Sequence, residues 1–207
     1  MERIDRELYL NQLINKQNNG LVKIITGMRR CGKSFLLDPI FKEYLISEGV
    51  SENHIIKIDL DERRNKKYQD PDVLDEYIRS LIVDEETYYL LLDEVQKVDD
   101  FESVLNGFLH IHNLDIYVTG SNSRFLSSQV DTEFSGRGNR IHLLPLSFSE
   151  YLTGTDLYKR DALDEYIRYG GIPLVELQSN DEEKAKMAIS IYKETYLKDI
   201  KNRHPQV

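Results

Sequence analysis

Eight consecutive residues, Gly27-Met28-Arg29-Arg30-Cys31-Gly32-Lys33-Ser34, carry the strongest chemical signal in the chain. They fit the pattern G-x-x-x-x-G-K-[ST] at every fixed position. The two glycines let the backbone curl tightly enough to aim several N–H groups at phosphate oxygens. A helix opening at Lys33 would add the positive end of its dipole. Lys33 has the reach and charge for the terminal phosphates, and the Ser34 hydroxyl suits Mg²⁺. Gly27, Met28, Arg29, Arg30, Cys31, Gly32, Lys33, Ser34 and Phe35 therefore form the expected phosphate-binding set. The flanks agree with such a loop. The apolar run Leu21-Val22-Lys23-Ile24-Ile25-Thr26 reads as a strand leading in, and Lys33-Ser34-Phe35-Leu36-Leu37 leads out with helical character.

A phosphate cradle needs acids to hold a metal and to activate water. The stretch Tyr88-Tyr89-Leu90-Leu91-Leu92-Asp93-Glu94 is an apolar strand that ends in two of them. A carboxylate at the carboxyl end of a parallel strand stands where open α/β sheets bind ligands. Asp93 is the expected partner of Ser34 in holding Mg²⁺, and Glu94 the expected base that polarises a water for attack on the γ-phosphate. The polar exit Thr119-Gly120-Ser121-Asn122-Ser123 follows another apolar strand. Ser121 or Asn122 could orient the attacking water there, and the residue types do not choose between them. In Ser135-Gly136-Arg137-Gly138-Asn139-Arg140 an arginine on a glycine-flanked turn could stabilise transition-state charge, Arg137 first and Arg140 second. Cys31 reads as a small, inert loop residue. The five histidines show no metal-ligand spacing, so Mg²⁺ bound with nucleotide is the only metal expected.

The elements that must position these groups follow from periodicity. Helix is expected over 4–18, about 33–47, from Asp70-Pro71 through Ile82, over 101–111, and over 147–152, 161–169 and about 181–201. Asp70 reads as an N-cap with Pro71 in the first turn. Strands are expected over 21–26, 54–60, 87–93, 114–119 and 139–144. Residues 123–134 read as short helix or irregular. Alternating strands and helices argue for a parallel sheet with right-handed crossovers. If the sheet resembles that of P-loop NTPases, the strand over 114–119 inserts between the loop strand and the acidic strand. The fold class is thus α/β, a three-layer α/β/α core with a five-stranded parallel sheet over residues 1–145. A small α-helical lid follows over 146–207.

Composition sets the outer bounds. The chain has 207 residues, a net charge of −9, 40% apolar and 30% charged residues. The acidic balance counts against a nucleic-acid grip, apart from the short basic run Arg63-Arg64-Asn65-Lys66-Lys67. No apolar run approaches the ~18 residues of a membrane span, so no membrane partner is expected. The mixed-charge N-terminus gives no sign of a signal peptide. A single cysteine rules out a disulfide framework within the chain. The cytoplasm is the default location.

The order of these motifs resembles AAA-type ATPases of the P-loop superfamily. Gly27–Ser34 matches Walker A, Leu90–Glu94 matches Walker B, and Thr119-Gly120-Ser121-Asn122 is similar to sensor 1. More narrowly, the chain resembles bacterial and archaeal ATPases that carry a C-terminal domain of unknown, often nuclease-like, character. The stretches that point there are Arg6-x-x-Tyr9-Leu10, Gly27-Met28-Arg29-Arg30, Gly136-Arg137, Leu144-Pro145-Leu146-Ser147-Phe148-Ser149-Glu150-Tyr151 and Gly170-Gly171-Ile172-Pro173. The resemblance implies ATP and Mg²⁺ as cofactors and ATP hydrolysis as the activity. It implies a further C-terminal domain beyond Val207, since such proteins usually continue past this point. It offers only Arg168 as a sensor 2 arginine. A slow or non-hydrolysing nucleotide-gated switch, and an ATPase subunit of a nucleic-acid-processing system, are the alternative functions. Self-association is left open.

Overall fold

The computed structural model describes residues 3–120, 134 and 136–195. Five strands form one sheet: β1 (Val22–Thr26), β2 (Ile55–Asp59), β3 (Tyr88–Asp93), β4 (Leu114–Gly120) and β5 (Gly138–His142). Their order is β2-β3-β4-β1-β5, and every pairing is parallel. β4 sits between the loop strand β1 and the acidic strand β3, the order that the resemblance to P-loop NTPases implies. All residues of β1 and β3 are buried, in keeping with a parallel sheet covered on both faces.

Alternation along the strands sorts the two faces. Val22, Ile24, Ile56, Ile58, Leu90, Leu92, Ile116 and Val118 share one core with helices α4 (Pro71–Leu81) and α5 (Phe101–Phe108), through Leu74, Ile78, Phe101, Leu105 and Phe108. The opposite face carries Lys23 and Tyr117, which are paired across β1 and β4. Phe41 packs on Tyr117 there with ring centroids 4.5 Å apart. The sheet is thus flanked by helices on both sides.

α1 (Glu7–Ile14) is shorter than the apolar pattern over 4–18, since turns replace helix from Asn15 onward. The helix after the loop is not continuous either. It runs as α2 (Lys33–Phe35), a wide π-type turn (Leu36–Phe41) and α3 (Lys42–Ser47). Asp38 is non-helical (φ −144°, ψ 116°), because the proline that follows disfavours helix at the residue before it and removes an N–H donor. α4 begins as expected: the Asp70 carboxylate accepts from the backbone N–H groups of Asp72 and Val73. Among the described residues, the remaining α-helices are α6 (Phe148–Thr153), α7 (Lys159–Tyr169), α8 (Pro173–Glu176) and α9 (Asp181–Thr195). Among the described residues, no helix is long and apolar enough to cross a membrane.

The chain divides into two compact units. One comprises Leu8–Thr26 and Ser34–His142 and holds the sheet. The other comprises Met1–Glu7, Gly27–Lys33 and Leu143–Val207. In this second unit two stretches singled out in the sequence meet. The Leu146 N–H donates to the Gly171 carbonyl at 2.7 Å, and the Tyr166 hydroxyl donates to the Leu146 carbonyl at 2.7 Å. Only glycine fits at 171, where a Cβ would stand 2.1 Å from the Leu146 oxygen. Ser147 and Glu150 form a reciprocal capping box at the start of α6. The Leu-Ser-Phe-Ser-Glu and Gly-Gly-Ile-Pro stretches are therefore one packed joint.

Candidate functional site

In the Gly27–Lys33 loop, φ is positive at Gly27, Arg30 and Gly32, with values of 152°, 66° and 98°. From Arg29 to Lys33 the sign of φ therefore alternates, positive only at Arg30 and Gly32. Alternation of this kind turns successive N–H groups toward one concavity, a nest suited to an anion. Gly32 adopts it at no steric cost, whereas Arg30 carries a penalty of roughly 1–2 kcal/mol. Gly27 is forced by space as well, since a Cβ there would lie 2.3 Å from the Leu143 carbonyl oxygen. Lys33 is buried, and its ammonium donates to the carbonyls of Gly27 at 3.2 Å and Met28 at 3.0 Å. Two of its three donors thus brace the loop from within. The Cys31 thiol is fully buried against the Leu143 carbonyl. Burial pushes its pKa up more than the nearby Lys33 and Arg6 charges pull it down, so it is not a reactive thiolate. Met28 and Arg29 are half-buried; Arg30 and Phe35 are exposed.

In the sheet unit, Asp93 ends β3 and Asp59 stands beside it in register at the end of β2. Asp93 is only 6% exposed. Burial drives its carboxyl above the ordinary aspartate range. Hydrogen bonds from the Ser34 and Thr119 hydroxyls pull it back, while the charges of Glu94 and Asp59 push it further up. Ser34, expected from the sequence to act with Asp93, lies near it. They line a cavity of about 40 Å³ with Asp38, Lys57 and Asp59. Lys57 and Asp38 form an ion pair of 2.6 Å within it.

Glu94 holds a left-handed backbone (φ 55°), a costly state for a residue with a side chain. Two hydrogen bonds fix it. The Glu94 N–H donates to Thr119 Oγ1 at 3.0 Å, and its carboxylate accepts from the Gln96 side chain. Thr119 Oγ1 in turn donates to the Asp93 carboxylate. One hydroxyl on β4 therefore ties Asp93, which ends β3, to Glu94, which follows it.

Arg137 is exposed; its guanidinium donates to the Asn106 side chain at 3.2 Å, and its carbonyl accepts from the Val22 N–H at 2.9 Å. Arg140 is exposed on β5, and Arg168 pairs with Asp181 at 3.1 Å. Ser121 and Asn122 lie outside the described residues. Sequence reasoning passed over Asp59 and the role of Thr119. An acid ending a second strand (Ile58-Asp59) and a hydroxyl residue ending β4 were the available signals.

Strand order and loop define a P-loop α/β domain, and the family follows from comparison. Residues 19–152 match the AAA domain family, and the chain belongs to it. That membership makes it an ATPase-type domain. An uncharacterized protein of Haemophilus influenzae is 32% identical over 206 residues, covering 97% of this chain and 51% of that protein. The uncharacterized protein MJ1544 of Methanocaldococcus jannaschii is 28% identical over 217 residues, covering 97% of this chain and 45% of that protein. The chain thus spans about half the length of these curated relatives. Among solved structures it is similar to Saccharomyces cerevisiae Hsp104 in complex with casein, at a TM-score of 0.55 and 14% identity, covering 97% of this chain and 39% of that one. It is also similar to Aeropyrum pernix ORC1 in complex with DNA, at a TM-score of 0.50 and 12% identity, covering 94% and 61%. These likenesses bear on the fold.

Proposed function

We propose that the protein binds ATP with Mg²⁺ through Gly27–Ser34 and hydrolyses it. The observation that carries this reading is the alternating φ of residues 29–33, a backbone shaped for phosphate oxygens. In this reading the loop amides hold the phosphates and Lys33 neutralises their charge. The donor set fits a hard divalent cation: Asp93, buried and crowded by other carboxylates, beside the Ser34 hydroxyl. Ser34 and Asp93 would hold Mg²⁺, which when bound neutralises charge on the phosphate oxygens. Glu94 orients and deprotonates the attacking water. Ser121 or Asn122 senses the γ-phosphate, and Arg137 stabilises transition-state charge. ATP over GTP rests on the family.

One contact favours the slower alternative. The Glu94 carboxylate accepts from the Gln96 side chain through Oε2, so Gln96 rather than a water sets the orientation of the base. The experiment is single-turnover phosphate release by wild type and Glu94→Gln. The variant should bind MgATP as well as wild type and release phosphate about 10²- to 10⁴-fold more slowly. Equal, slow release by both would assign the protein as a nucleotide-gated switch. ORC1 was solved with DNA, but the net charge of −9 argues against a DNA partner for this chain. ATPase activity stimulated by DNA and steeply lost with salt would reverse that.

A further inference from the structure

Arg6 lies before the first helix, and its side chain is 5% exposed. Nothing in the proposed chemistry uses it. Its backbone is left-handed (φ 50°), so the surrounding structure holds it in a disfavoured state. Its guanidinium hydrogen-bonds two carbonyls and forms an ion pair with a carboxylate. Nη1 donates to the Cys31 carbonyl at 3.3 Å, Nη2 donates to the Leu144 carbonyl at 2.7 Å, and Nε lies 2.9 Å from Glu150 Oε1. The other Glu150 oxygen, Oε2, accepts from the Ser147 N–H at 2.8 Å and closes the capping box of α6.

We infer that Arg6, fixed by Glu150, is a positioning residue for the phosphate-binding loop; the inference rests on the ATP-binding reading above. The Cys31 carbonyl and the Gly32 N–H belong to one planar trans peptide, so they point in opposite directions. Holding the oxygen sets the direction of that N–H, which belongs to the nest between Arg30 and Gly32. A planar fork with several donors is suited to this; a lysine ammonium is a single point charge. The Leu143-Leu144 backbone against which the loop is pinned also takes the Cys31 thiol at 3.6 Å and the close approach of Gly27. Loop shape is thereby tied to the start of α6. This gives a physical reason for the Arg6-x-x-Tyr9 and Ser-Phe-Ser-Glu-Tyr stretches found in the sequence.

The test compares wild type with Glu150→Gln and Arg6→Lys. Glutamine at 150 still serves a capping box but removes the charge facing Arg6. Lysine at 6 keeps the charge and loses the fork. Two readouts are taken at a temperature where all three proteins are folded, as judged by thermal unfolding. Hydrogen exchange of the amides of residues 28–33 should be at least about fivefold faster in both variants, with exchange in β1–β4 unchanged. MgATP should bind them about 10- to 100-fold more weakly, the scale on which small misplacements of a binding group act. Loop exchange and affinity within twofold of wild type in both variants would overturn the inference. A wild type that fails to bind MgATP strikes the functional reading alone, because the exchange measurement reads the loop without nucleotide.

Discussion

Thr119 bonds both Asp93 and Glu94 at the end of β3. Its hydroxyl donates to the Asp93 carboxylate and accepts from the Glu94 N–H. Replacing it with valine keeps the shape and leaves the buried Asp93 carboxylate and the part-buried Glu94 N–H without that partner. Thr119→Val should lower stability by about 1–3 kcal/mol, read as a fall in the urea midpoint with unchanged slope. A shift below about 0.5 kcal/mol would mean that water replaces the hydroxyl. This residue shows where reading by type stops. Thr119 looks like one more β-branched strand residue, and its chemistry arises only from the β3–β4 pairing. Lys33, Ser34 and Asp93 are different, because their spacing and the flanking apolar runs already name their chemistry. Arg137 was legible as an arginine on a tight turn, and Gly136 does take a left-handed φ of 74°. Its contact with Asn106, 31 positions earlier, had no signal in the sequence.

At the scale of elements, the sheet was legible because its strands are nearly continuous apolar runs separated by helical periods. The discontinuity after the loop was less so. The apolar spacing across 33–47 suits a helix, yet Asp38-Pro39 breaks it, a local rule outweighed in the sequence reading by the longer pattern. The joint between the Leu146 and Gly171 stretches was visible only as two isolated signatures. A second element-level feature is the buried charge at the start of β1 and β4. Lys23 is fully buried and pairs with Asp115, which also accepts from the Tyr117 hydroxyl at 2.8 Å and from the Asn18 N–H at 3.0 Å. Burial lowers the Lys23 pKa, and Asp115 opposes the shift. This cluster fastens the turn after α1 to the sheet. Lys23→Met would strand the Asp115 carboxylate in a dry site and should cost about 3–5 kcal/mol, measured by chemical unfolding. A neutral result would show that the pair only offsets its own desolvation.

At the scale of the whole molecule, the candidate residues divide between the two units. Lys33 and Ser34 are neighbours in sequence yet fall in different units, the first with the C-terminal helices and the second with the sheet. The arginine fork on the loop carbonyl lies wholly in the unit with the C-terminal helices, and the Ser34–Asp93–Thr119 group wholly in the sheet unit. The account stands first on the loop as a phosphate site. The direct measurement is calorimetric titration of wild type and Lys33→Ala with MgATP. Wild type should show saturable binding at one site per chain, weakened roughly 10- to 100-fold in the variant by loss of a charged contact. Wild type that takes up no nucleotide at millimolar concentration, or a variant that binds as tightly, would contradict the account.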